Sequence, residues 1–333
     1  MTNICIIDFL NSLDSDVTKI NISNRSLIEL PDLSRFKNLE WLDCSNNRLT
    51  ILPGLNDNLT TLSCNNNYLT ILPALNDNLI TLNCSNNRLT VLPPLNDNLI
   101  TLNCSNNRLT ILPSLNDNLN TLNCSNNRLT VLPSLNDNLT TLNCSNNRLT
   151  VLPGLNNILQ VLICNDNLLK YLPSLNDNLD TLNCSNNRLT ILPALNDNLR
   201  ALSCNNNYLT ILPALNDNLK TVYCYNNQLT ILPNLNDNLT IISFCNNPVC
   251  ERMGSISFDN KQKINKWINK WNNFREFYFL SKLKKKLISW MWKSREKQIR
   301  QLFHPSHLIQ FLENNHVSDD DNSSLDIFLN HWN

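Results

Sequence analysis

The ten residues Thr81–Thr90, TLNCSNNRLT, return letter for letter from Thr101, Thr121, Thr141 and Thr181. A Leu-Pro stretch follows each copy, and then, with one exception, LNDNL. Self-similarity at a fixed period marks a stacked array. Aligning on leucine gives a period of 20 residues, L-x-x-L-x-C-x-x-N-x-L-T-x-L-P-x-L-N-D-N. Position one falls at Leu39, Leu59, Leu79, Leu99, Leu119, Leu139, Leu159, Leu179, Leu199, Leu219 and Leu239. A degenerate unit of 22 residues precedes them, with Val17, Ile20, Ile22 and Leu27 in the apolar places and Arg25 where Asn belongs. The reading is twelve units.

Within a unit, L-x-x-L-x-C alternates apolar with polar, which is strand periodicity. One unit cannot bury its leucines alone, but stacked neighbours bury them in a continuous core. At about 4.8 Å per strand, twelve units make roughly 55 Å of parallel sheet. The nine residues T-x-L-P-x-L-N-D-N must bring the chain back. They are too few for a stable helix and carry a proline. An extended or polyproline-like return is expected, with its two leucine positions turned inward.

Position nine is Asn at Asn47, Asn67, Asn87, Asn107, Asn127, Asn147, Asn167, Asn187, Asn207, Asn227 and Asn247. A side-chain amide both donates and accepts. At the end of each strand it can satisfy backbone groups of its own turn and of the next. Leu there leaves those groups unpaired, and Asp buries a charge. The column reads as a structural Asn ladder.

L-x-x-L-x-C-x-x-N-x-L resembles the leucine-rich-repeat signature, with Cys in the third apolar slot. The 20-residue period with Leu-Pro after the strand resembles the short class found in bacterial effector proteins. The likeness runs from Val17 to Cys250, and Asn247-Pro248-Val249-Cys250 resembles the closing turn of many such arrays. It implies a leucine-rich-repeat solenoid of the α/β class, rich in β. Short parallel strands line the concave side, and the convex side is extended or polyproline-like. Some effectors of this class carry a ubiquitin-ligase domain with a catalytic Cys-x-Asp. Cys250-Glu251-Arg252 and the residues after it lack that motif, so the activity does not transfer.

Cys44, Cys64, Cys84, Cys104, Cys124, Cys144, Cys164, Cys184, Cys204 and Cys224 occupy position six. Free cysteine is a small, readily buried hydrophobe. Zinc needs convergent ligands, and a straight ladder does not converge. Neighbouring Cα atoms about 5 Å apart permit a disulfide by distance, but parallel side chains oppose it. Core packing is therefore expected. Cys5, Cys245 and Cys250 lie outside the column, as cap or terminal residues.

The concave face of a leucine-rich repeat is the usual partner surface. Here positions three and five are mostly Thr and Asn or Ser, a neutral polar surface with few large anchors. Interface hot spots favour Trp, Tyr and Arg. The departures from the repeat are then informative: Glu40, Trp41 and Asp43; Val161, Ile163, Leu168, Lys170 and Tyr171; and Tyr208, Tyr223 and Tyr225. They form a candidate three-point contact surface. Drift among recently duplicated repeats, with shielding near the caps, is the favoured account of them. Arg48, Arg88, Arg108, Arg128, Arg148 and Arg188 form a basic column after the strands. Asp57, Asp77, Asp97, Asp117, Asp137, Asp177, Asp197, Asp217 and Asp237 form an acidic one on the returns. Both read as solvated faces. The acidic column, with its flanking Asn, lacks the glycine-rich nonapeptide of calcium-binding solenoids.

With 3 glycines in 333 residues, a glycine-rich phosphate loop is excluded. Turn positions that need left-handed backbone fall to Asn. The stretch MTNICIIDFLNSLDSD has no basic region followed by a long apolar one, so no secretion signal is read. Thirteen cysteines without a signal suggest reduced thiols. An intracellular place, in host cytoplasm, is expected. No carboxylate pair, no Ser or Cys with a nearby His in the repeats and no nucleotide loop suggests catalysis. Neither cofactor nor small-molecule substrate is expected.

The composition changes after Cys250. Val17–Cys250 holds 13 Lys and Arg against 15 Asp and Glu, while Lys261–Arg300 holds 13 against two. Ile264, Trp267, Ile268, Trp271, Phe274, Tyr278, Leu283, Leu287, Trp290 and Met291 recur at helical spacing, with Lys282, Lys284, Lys285 and Lys286 among them. The spacing predicts one long or two shorter amphipathic helices. They serve as a cap over the solenoid end, as a contact for nucleic acid or an anionic membrane, or as a partner module. His304-Pro305-Ser306-His307 reads as a turn rather than a metal site. The last 70 or so residues, aromatic and Lys-rich, then an HP turn, then acidic to Asn-Trp, resemble a tail of giant DNA virus repeat proteins. The organisation read is 1–16, N-terminal cap; 17–250, solenoid; 251–303, basic helices; and 304–333, acidic tail. The favoured function is a scaffold for protein–protein interaction. The alternatives are a nucleic-acid- or membrane-surface-binding protein and a host-directed adaptor or effector.

Overall fold

The computed structural model describes residues 3–253, 262–270, 281–290 and 293. The expectations for the HP turn and the acidic tail lie outside the described residues, as do those for Trp271, Phe274, Tyr278 and Met291. Met1–Ile268 form one compact unit and Asn269–Asn333 a second. The first opens with helix α1 (Asn3–Asn11). Twelve three-residue strands follow, one per repeat. They are β1 (Lys19–Asn21), β2 (Trp41–Asp43), β3 (Thr61–Ser63), β4 (Thr81–Asn83), β5 (Thr101–Asn103), β6 (Thr121–Asn123), β7 (Thr141–Asn143), β8 (Val161–Ile163), β9 (Thr181–Asn183), β10 (Ala201–Ser203), β11 (Thr221–Tyr223) and β12 (Ile241–Ser243). Each pairs in parallel with its sequence neighbours, giving one sheet in order β1 to β12. The register is one full repeat, with Leu42, Leu62, Leu82 and Leu102 in line.

Backbone bonding runs past the strands into the turns. In the central units Cys84 N–H donates to the Asn103 carbonyl at 2.9 Å, and Asn86 N–H to that of Ser105 at 2.9 Å. Position eight provides the bend. Asn46, Asn66, Asn86 and their equivalents hold φ between 52 and 56°, with Asp166 in the seventh full unit. Asn and Asp tolerate this left-handed geometry better than other side chains, which is how the turns close without glycine.

Positions one, four, six, eleven and fourteen are buried in every full unit up to Leu232. The return contains neither helix nor strand. Its second leucine, at Leu55 to Leu215, is only half-buried against the core. The exception is Leu235, at 4% exposure. There the helical residues 262–270 bury Ile264 and Ile268 in the same core. Asn265 accepts from Leu235 N–H at 2.9 Å and donates back to its carbonyl at 2.8 Å. At the other end α1 buries Ile6 and Leu10. Arg35 donates to the Leu10 and Leu13 carbonyls there. The last unit has Phe244 in the cysteine slot, and α2 (Pro248–Met253) follows with Val249 buried.

The paired contact of Asn265 replaces the neighbour that the last return lacks. Asn265→Ala removes it without a clash. Amide exchange at Leu235 is expected to quicken by about tenfold or more, while amides near Leu119 keep their protection, because such openings are local. Equal change at both places would show that the contact does not hold the end.

Candidate functional site

The strands present one face outward. In β2 to β11 the middle residue is buried and its two neighbours are half-buried. Trp41, Asp43, Val161, Ile163 and Tyr223 all stand on that face. β2 and β8 are six strand spacings apart, about 29 Å, and β8 and β11 about 14 Å. The three departures are therefore separate points along one surface and do not converge. Tyr208 lies off the strands, exposed in the arginine column, and Tyr225 lies two residues beyond β11. Tyr68 occupies the same column, with the Arg88 guanidinium 4.5 Å above its ring.

Position five is less free than the sequence suggests. Asp43 accepts from Ser45 N–H at 2.9 Å. Asn83 accepts from the Ser85 backbone N–H at 3.2 Å and its hydroxyl at 2.8 Å, a pattern repeated at Asn103, Asn123 and Asn143. These oxygens close the turn as Asx caps, so much of the polar face is already engaged.

Position two carries more variety than any invariant column. It reads Glu40, Thr60, Ile80, Ile100, Asn120, Thr140, Gln160, Asp180, Arg200, Lys220 and Thr240. These residues stand where the chain enters the strands. Glu40, Thr60, Ile80 and Ile100, with Asn38, Asn58, Asn78 and Asn98, line a groove of about 740 Å³. Ile80 and Ile100 are exposed within it. Farther along, Arg200 and Asp180 form an ion pair at 3.4 Å, which at such exposure contributes little. Sequence reasoning singled out Glu40 in this column and missed the rest of it. The signal was present, since side chains that differ inside an otherwise copied unit are the ones able to distinguish partners.

The position-nine amides bond within their own turn and to the preceding unit, where the sequence reading places the second tie on the next one. Asn107 Nδ2 donates to the carbonyls of Cys104 at 3.1 Å and Ser105 at 3.2 Å in its own turn. It also donates to Cys84 at 3.1 Å, while its Oδ1 accepts from Leu89 N–H at 2.9 Å. Each amide thus ties its turn to the preceding unit, not the next. LNDNL hides two further ladders. Asn136 Nδ2 donates to the carbonyls of Asn116 and Leu119, both at 2.8 Å, and Asn138 to that of Asp117 at 2.9 Å. The ten position-six thiols are buried and free. Loss of hydration pushes them up, to about 12 at Cys104, Cys144 and Cys184 and well above the ordinary value at Cys64, Cys84, Cys124, Cys164 and Cys204.

In the second unit, residues 281–290 are helical. Lys282, Lys284, Lys285 and Lys286 are exposed there, as are Leu283, Leu287, Ile288 and Trp290. Among the described residues no helix is long and apolar enough to cross a membrane.

No protein-family model and no curated protein matches the chain. Solved structures do. The leucine-rich effector protein YopM from Yersinia pestis is similar at 31% identity, over 70% of this chain and 79% of that one, with a TM-score of 0.57. A leucine-rich-repeat protein of Leptospira interrogans is similar at 28% identity, over 77% and 83%, with a TM-score of 0.52. The leucine-rich-repeat domain of APL1B shares the fold at 21% identity, over 74% and 86%, with a TM-score of 0.60.

Proposed function

From the premise that the chain belongs to the leucine-rich-repeat proteins, we propose that it is a non-enzymatic scaffold whose sheet face and entry edge bind a protein partner. The observation that carries this is the pairing of an unbroken twelve-strand face with a column of differing side chains along its edge. Trp41, Asp43, Val161, Ile163 and Tyr223 supply anchors on the face, and Tyr208 and Tyr225 supply contacts at its margin. Affinity then comes from complementarity over a long surface, with the aromatic residues contributing most. Its likeness to an effector supports a host-directed role, and with it a place in host cytoplasm.

Full-length protein presented to host-cell lysate is expected to retain a partner at moderate salt. Trp41→Ala and Ile80→Lys should each weaken retention about tenfold or more, at unchanged fold by circular dichroism. Retention insensitive to both substitutions would sink the reading. A second reading has its own observation, the exposed Leu283, Leu287 and Trp290 beside Lys284, Lys285 and Lys286. That helix suits nucleic acid or an anionic membrane surface. Retention that falls steeply with salt and vanishes on replacing those lysines by Ala would assign binding there instead.

A further inference from the structure

Position thirteen breaks the rule that apolar residues of the repeat face the core. In nine consecutive units, from Ile51 to Ile211, it is Ile, Val or Tyr and 37–60% exposed. Beside it on the return stand a half-exposed proline, a mostly small residue at position sixteen and the half-buried second leucine. From Leu49 to Asn156 no return carries a charge before its Asp. The result is an apolar ribbon about 38 Å long at the strand spacing, uncharged over its first six units, about 24 Å, and interrupted beyond them by Lys170. Contiguous exposed apolar surface on this scale marks an interaction site.

The ribbon has two unlike edges. Each return begins just after position ten and ends at position nineteen, so it crosses the convex side from an arginine column to an aspartate column. Arg88, Arg108, Arg128 and Arg148 are exposed on one edge, and Asp97, Asp117 and Asp137 on the other. Both columns repeat at the spacing of the sheet, because one 20-residue unit writes both.

We propose that this convex face binds a second copy of the chain, through a two-fold axis parallel to the solenoid axis. That rotation lays ribbon on ribbon and places the arginine edge of each copy over the aspartate edge of the other, on both sides. A two-fold perpendicular to the solenoid axis would set like charges on like. The uncharged centre can meet itself without repulsion, and a partner matching the spacing of both edges at once is another copy. The exposed position-thirteen side chains offer on the order of 700 Å² per copy, close to the ~800 Å² per partner of a standard interface. The contact is isologous and closes at two copies. It leaves the sheet face free and does not depend on the function proposed for it.

Sedimentation equilibrium of the full chain tests this without any variant. A dimer is expected at low salt, with its dissociation constant rising about tenfold or more as salt is raised to ~0.5 M, because edge pairs are screened. Reversing the four arginines (Arg88→Glu, Arg108→Glu, Arg128→Glu, Arg148→Glu) should give a monomer. Reversing the aspartates (Asp97→Lys, Asp117→Lys, Asp137→Lys) should do the same. Mixed together, the two variants should pair again, since every edge then meets its opposite. Ile111→Lys, in mid-ribbon, should weaken the dimer at any salt. A wild-type chain monomeric at ~100 µM, a dimer that tightens with salt, or reversed variants that fail to pair would each overturn the proposal.

Discussion

Raised from pH 8 to pH 10 under reducing conditions, the protein is expected to lose stability at a rate that approaches about 1.4 kcal/mol per pH unit for each ladder thiol above pH ~8.5. The thiols of Cys44 through Cys224 are held above their ordinary value, to about 12 at Cys44, Cys104, Cys144 and Cys184 and well above it at the others, and burial is the first cause at every one. In the unfolded chain they ionise near pH ~8.5. Between these values the unfolded state sheds protons that the folded state keeps. The stability tied to each thiol is therefore complete below about 8.5 and declines as pH climbs toward 12. Ten thiols, one unit above the unfolded value, lose on the order of 14 kcal/mol together, comparable with the whole stability of an ordinary domain at ~5–15 kcal/mol. Alkaline unfolding with a midpoint between about pH 9.5 and 10.5 follows.

Urea titrations at a series of pH values measure the slope directly. Replacing Cys84, Cys104, Cys124 and Cys144 by Ala should lower it from about ten protons to about six. The same variant should be less stable at pH 7, because four small cavities open in the core. A slope of one or two protons in the parent chain would mean that the ladder is not as dry as its geometry indicates. The prediction also gives the column a consequence. A repeat that puts a thiol in every core layer binds its stability to reducing, near-neutral conditions, which fits the reduced thiols inferred from composition.

The invariant columns were the legible part of the sequence. Leucine at positions one, four, eleven and fourteen, cysteine at six and asparagine at nine each have one physical reason to repeat, and each sits where that reason puts it. The strands followed from L-x-x-L-x-C and the non-helical return from its proline. Position thirteen was not legible, because Ile and Val beside a buried leucine look like core in a one-letter pattern. They point outward because Leu52 and its equivalents already fill the space that an extended return can reach. The Asn residues of LNDNL were read as flanking an acidic column, yet their amides bond to the preceding return. A single sequence shows which side chains can donate but not which carbonyls lie in reach. Tyr208 and Tyr225 looked like partners of Tyr223 and are not on its strand. Only the register places them, one in the arginine column and one past the strand end.

The ladder at position nine is expected to be the least forgiving surface in the molecule toward substitution. Asn107→Leu keeps the branching and the number of heavy atoms, adds bulk at its two methyls, and removes four bonds. It leaves Leu89 N–H unpaired in a buried site, while the carbonyls of Cys84 and Cys104 each lose one amide donor and keep another, from Asn87 and Asn127. The orphaned N–H costs about 1–3 kcal/mol and each bond lost at a carbonyl that stays paired about 0.5–1.5 kcal/mol, so a loss of roughly 3–6 kcal/mol is expected. Because each unit touches only its neighbours, the melt should also split into two steps as the array divides near β5. Asn107→Asp separates hydrogen bonding from size. Its carboxylate can still accept from Leu89 N–H, but its second oxygen faces the carbonyls of Cys84, Cys104 and Ser105, and both burial and those dipoles favour the neutral acid. The folded-state value of this carboxyl therefore lies above the ~3.9 of an unfolded chain. Its deficit should be large at pH 7 and should shrink as pH falls toward 5, whereas the Asn107→Leu deficit stays flat. Circular-dichroism melts of both variants at pH 5 and pH 7 read this out. A Leu variant within ~1 kcal/mol of the parent, or an Asp variant that gains stability as pH rises, would show that the amide's pairing does not hold successive turns together. The double role would then pass to the backbone bonds of the turn, such as Asn106 N–H to the Ser125 carbonyl at 2.9 Å, which neither substitution touches.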